Sequence, residues 1–112
     1  MDKVTKYKTI IEEALSHQAS IKISNLPAIE QQLIIDESGG QFLLLNVGWQ
    51  NKRYIHGLVI HIQIKNDKVW IHEDMTDIDI AGKLIEQGIP KSDIVLGFVA
   101  PYARGIEGFA AA

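Results

Sequence analysis

Apolar residues recur every three to four positions at the start of the chain and every second position through its middle, and this change of period marks where helix gives way to sheet. Over residues 1–17, Val4, Tyr7, Ile11, Ala14 and Leu15 fall on one side of a helix, with Lys3, Lys6, Glu12 and Glu13 on the other. Residues 18–29 lose the period and contain Leu26-Pro27, where the proline disfavours helix at the residue before it, so a polar connector is expected. The strand period then takes over. Gln32–Asp36 and Phe42–Trp49 flank Glu37-Ser38-Gly39-Gly40, whose glycines supply the positive φ of a hairpin turn.

A two-residue loop at Asn51-Lys52 sets the next register: Gln50 faces Arg53, Trp49 faces Tyr54, Val47 faces His56, Leu45 faces Leu58 and Leu43 faces Ile60. Asn66-Asp67 tolerate the left-handed conformation of a third hairpin loop. That loop pairs Ile64 with Val69 and Ile62 with Ile71 on the core face, and Gln63 with Trp70 and His61 with His72 on the other. Thr76 is a candidate N-cap, with Asp77 and Asp79 in the first turn of a second helix that buries Ile80, Ala81, Leu84 and Ile85 and ends at Gly88 before Pro90. Pro90–Asp93 then reads as a turn leading into Ile94–Phe98, a short fifth strand or extended segment. The sum is an α+β fold: an N-terminal helix, a four- to five-stranded antiparallel meander sheet and a C-terminal helix, in one domain over residues 1–112.

Composition narrows the classes of function. With 112 residues and 46% apolar content there is material for one core and not two. The chain has no cysteine, which removes disulfides, thiolate ligands and a thiol nucleophile, and suits a reducing, cytoplasmic setting. No basic region followed by an apolar block resembles a signal peptide, and no apolar run approaches the roughly 20 residues that span a bilayer. A net charge of -3 with scattered basic residues argues against direct reading of nucleic acid, which needs a concentrated positive footprint. Nucleophile-elbow and phosphate-loop motifs are missing, so neither an enzyme nor a cofactor is expected.

Two clusters carry candidate chemistry. Facing His61 and His72, with Asp74 two residues further along, hold the donor types of a transition-metal site, although a half-exposed sheet face on which the histidines simply pack is the commoner arrangement. Glu73, Asp74, Asp77 and Asp79 form an acidic run, but helix capping accounts for it better than a divalent-metal site, since the glycine-bearing calcium-loop spacing is absent. The second sheet face, with Phe42, Leu44, Val59 and Trp70 beside His61, is apolar like the first. Either the two helices divide the faces between them, or a second subunit or another protein closes one of them. A homo-oligomer or hetero-complex is the expectation.

Three stretches resemble the XisI family: Leu45–Trp49; Tyr54-Ile55-His56-Gly57 to Ile62 with Lys68–Ile71 after it; and Gly88-Ile89-Pro90-Lys91-Ser92-Asp93-Ile94-Val95-Leu96-Gly97-Phe98. The opening helix with Tyr7 and the closing Gly108-Phe109-Ala110 fit as well, whereas Ser20–Pro27 and Val99–Arg104 depart from the family pattern. The family comprises small controlling factors for excision of the fdxN element in heterocyst-forming cyanobacteria. The resemblance implies a role beside a site-specific recombinase, together with an XisH-like partner of nuclease-like fold, and carries over no catalytic residue. Phe42, Trp49, Tyr54, His61, Trp70 and His72 are the candidate partner contacts. An antitoxin-like neutraliser of an XisH-like nuclease is one alternative, and a small metal-binding protein or enzyme using His61, His72 and Asp74 is another.

Overall fold

The computed structural model describes residues 2–21, 28–76 and 78–112. The first helix, α1 (Lys3–Ser20), starts where the Asp2 carboxylate accepts the Thr5 N–H at 2.8 Å. It runs three residues beyond the stretch its period predicts and buries Tyr7, Ile10, Ile11 and Leu15. The connector expected around Leu26-Pro27 lies outside the described residues. The sheet follows: β1 (Ile29–Asp36), β2 (Gln41–Gln50), β3 (Arg53–Lys65), β4 (Lys68–Asp74), then α2 (Ile80–Glu86) and β5 (Ile94–Leu96).

All three hairpin turns form where turn chemistry placed them. Gly40 takes φ 63°, Asn51 takes 56°, and Asn66 and Asp67 take 53° and 61°. From the second loop the expected pairs hold as far as Leu45–Leu58, but Leu43 meets His61 and not Ile60. Val59 is an extra residue on β3, a bulge that shifts the ladder by one. The faces change accordingly. Phe42 and Leu44 join Ile60 and Ile62 in the core, and Leu43 and Leu45 turn to the side of His61 and Trp70.

A second bulge sits on β4, where Ile62 pairs with Ile71 as expected but His61 pairs with Glu73, leaving His72 as the extra residue. The order β1-β2-β3-β4-β5 is a meander for four strands only. Strand β5 runs parallel to β4, which corrects the wholly antiparallel expectation. The reason is topological: α2 carries the chain back along the sheet, as a parallel crossover requires.

The second helix begins later than predicted. Its N-cap is Asp79, which takes φ 50° and accepts the Gly82 N–H, while Thr76 bonds Asp74 and Asp77 lies outside the described residues. Gly88, at φ 115°, ends it as expected. Both helices pack on the same face, contributing Ile11, Leu15, Ile80 and Leu84 to one cluster with Phe42, Leu44, Ile60, Ile62 and Ile71. Each fully buried side chain of this size contributes roughly 1.5–3 kcal/mol. Beyond β5 the chain makes two short 3-10 turns, and Ala110 bridges back to Val95. Among the described residues no helix is long and apolar enough to cross a membrane.

Tyr7 locks α1 to the turn before β5. Its hydroxyl donates to Asp93, which also holds Lys3 at 2.8 Å. Burial and the bond to that carboxylate push the tyrosine up to about 12. Burial works against the charged form of Asp93, but hydrogen bonds from Lys3 and Tyr7 outweigh it and hold the carboxyl below its ordinary value.

Candidate functional site

With both helices on one side, no helix among the described residues covers the other face of the sheet, and alternation decides what this open face displays. From β1 it takes Ile34; from β2 Leu43, Leu45, Val47 and Trp49; from β3 Tyr54, His56, Leu58 and His61; from β4 Trp70 and His72. Ile34, Trp49 and Tyr54 are 50%, 57% and 52% exposed, while Leu43, Leu45, Val47 and Leu58 are half-buried by one another. Burial is unlike this on the other side, where Phe42 is 1% exposed. Aromatic side chains at such exposure, side by side, are unusual on a surface that meets only water. Trp49 and Tyr54 lie across the β2–β3 ladder with ring centres 5.1 Å apart, and Tyr54 stacks on His56 at 6.3 Å.

The far end of the face is polar and cationic. The His61 and His72 rings sit 4.8 Å apart despite the bulge between them. His61 Nε2 bonds Gln41 Oε1 at 2.8 Å and His72 Nε2 bonds Gln63 Oε1 at 3.0 Å. Trp70 has Lys65 Nζ at 4.8 Å and the Arg104 guanidinium at 5.2 Å from its ring centre. Arg104 is held there by the carbonyls of Val99 and Gly97. Burial, then the charges of His61, Lys65 and Arg104, disfavour the charged form of His72 and hold it below its ordinary value.

Of the six candidate contacts, Trp49, Tyr54, His61, Trp70 and His72 share this face; Phe42 does not. The Val59 bulge turns Phe42 beneath the helices and withdraws it from any surface contact. Asp74 also leaves its expected place. Opposite Ile60, its carboxylate accepts from the N–H groups of Thr76 and Ile80, not from the histidine side. Among the described residues no three His, Asp or Glu side chains are grouped to hold a metal. The pattern overlooked Leu43, Leu45, Val47 and Leu58 as members of the open face beside Trp70, and Arg104 as its flank; only the bulge and the path of the tail reveal them.

A family model described as "XisI protein" matches residues 1–111. The chain belongs to the XisI family. Two solved structures are similar to it. One is an XisI-like protein from Anabaena variabilis ATCC 29413, 37% identical, covering 97% of this chain and 99% of that one, with a TM-score of 0.88. The other is the fdxN element excision controlling factor XisI from the same organism, 37% identical, covering 99% of this chain and 100% of that one, with a TM-score of 0.79. A search of curated proteins finds no match. Within this XisI-family chain the residues that carried the resemblance have visible work. Gly97 lies where a Cβ would come within 3.1 Å of His72 Nδ1, and Asp93 is the acceptor for Tyr7.

Proposed function

We propose that this chain is a non-enzymatic controlling factor for fdxN-type DNA excision and that it acts by holding an XisH-like protein against the open face of its sheet. The observation that carries this reading is the one-sided placement of the helices, which leaves Trp49 and Tyr54 half-exposed beside Leu45, Val47 and Leu58. A surface of this kind gains its free energy by being covered, and large aromatic anchors are what a protein interface places at its centre. The apolar end supplies the anchors, and the end with Lys65, Arg104 and the paired histidines supplies polar and charged contacts that set orientation.

Trp49→Asp is the appropriate disruption, since Trp70 is wedged between Lys65 and Arg104 and its loss would disturb the fold as well. Co-expressed with the XisH-like protein, the wild-type chain should co-purify with it, and the Trp49→Asp chain, with an unchanged melting temperature, should not. Undiminished association of the variant would remove the open face from the proposal.

A further inference from the structure

Strand β3 is longer than its neighbour β4. The β3–β4 pairing ends at Ile60 opposite Asp74, and Met75 makes the last contact on that side by donating its N–H to the Val59 carbonyl at 2.8 Å. From Arg53 to Leu58, therefore, β3 is bonded to β2 on one side and, among the described residues, carries an open edge on the other. In an antiparallel ladder closed by a two-residue loop, Arg53, Ile55 and Gly57 turn their backbone groups toward β2, and those of Tyr54, His56 and Leu58 point outward. An edge of this kind is a template for another strand, and this one carries no proline or lysine from Arg53 to Leu58 to block it.

We propose that this edge pairs antiparallel with the same segment of a second copy, about a two-fold axis through Ile55, joining the two sheets into one of ten strands. The length of the slot selects the occupant. It is bounded by the Asn51-Lys52 turn at one end and by Met75 at the other, so an incoming strand must itself turn away within about six residues or collide with β4. A second β3 does so at its own loop. Sterics and hydrogen-bond phase agree on the register. Centred on Ile55, Tyr54 stands opposite the second copy's His56, and both present outward-pointing groups, giving four backbone hydrogen bonds across the axis. Arg53 stands opposite the second copy's Gly57, where a Cβ would find nothing within 4 Å and a long side chain has room. Centred on His56 instead, the second copy's Arg53 would fall on Met75. The axis leaves the open face uncovered, so the proposal does not rest on the partner reading above.

The test uses the purified chain alone. Sedimentation at high micromolar concentration should give twice the monomer mass. His56→Pro removes an outward N–H that the monomer does not use, so this variant should keep its circular dichroism and sediment as a monomer. Hydrogen exchange gives a second measurement that does not depend on the variant folding. The Tyr54 and His56 amides should be protected by at least about tenfold at high concentration and lose that protection on dilution. A monomeric wild type, a folded His56→Pro chain that remains dimeric, or rapid exchange at Tyr54 and His56 at every concentration would each overturn the proposal.

Discussion

Replacing Tyr7 by phenylalanine removes the hydroxyl that donates to Asp93 and leaves the ring in place. The loss should be about 1–2 kcal/mol in urea unfolding, since a partly buried carboxylate loses one of its two donors. The pH dependence identifies the same group. Tyr7 ionises less readily folded than unfolded, so its contribution is fully present below the ordinary value of 10.0 and is lost as pH rises toward about 12. The Tyr7→Phe chain should lack that alkaline decline. His72 works in the opposite direction. Its folded value lies below the ordinary 6.5, so its neutral form contributes stability above that pH, and this is lost as pH falls through the folded value. Melting temperatures followed downward from neutral pH should fall for the wild type and fall less for His72→Gln.

The bulge at Val59 makes a distinctive prediction for β3. Because Leu45 pairs with Leu58 and Leu44 with Ile60, deleting Val59 closes a regular ladder without exchanging the faces. That chain should fold, with a loss of roughly 1.5–3 kcal/mol for one buried valine, read as a lower melting temperature. Deleting Leu44, which lies in the regular ladder, throws Phe42 and Leu43 to the wrong sides and should yield insoluble protein. The contrast explains what the sequence could and could not disclose. Turns were legible because asparagine, aspartate and glycine have specific backbone reasons to be at 40, 51, 66 and 67. Bulges were not, because Leu43-Leu44-Leu45 and Leu58-Val59-Ile60 are apolar throughout, and an unbroken apolar run fits either face equally well. That ambiguity put Phe42 on the wrong side. The direction of β5 was similarly hidden: three residues, Ile94–Leu96, have no period, although a strand following α2 carried a hint of the crossover.

For the molecule as a whole, the open face was anticipated as one of two outcomes, but regular alternation set Trp49 and Tyr54 on the side opposite His61, Trp70 and His72, and the Val59 bulge is what brings the five onto one face. Asp74 fell away because β4 has already bulged at His72 before reaching it. A paired substitution tests the division between the faces. Phe42→Ala should cost about 3–5 kcal/mol, whereas Trp49→Asp should stay within about 0.5 kcal/mol of wild type in denaturant titration. Such a separation has a bearing on how the protein can change. Where one set of side chains keeps the chain folded and a different set meets whatever it recognises, substitutions in the second set can accumulate without threatening solubility. On the proposed reading, the bare side of the plate is thus free to follow a changing counterpart, while the helices behind it stay as they are.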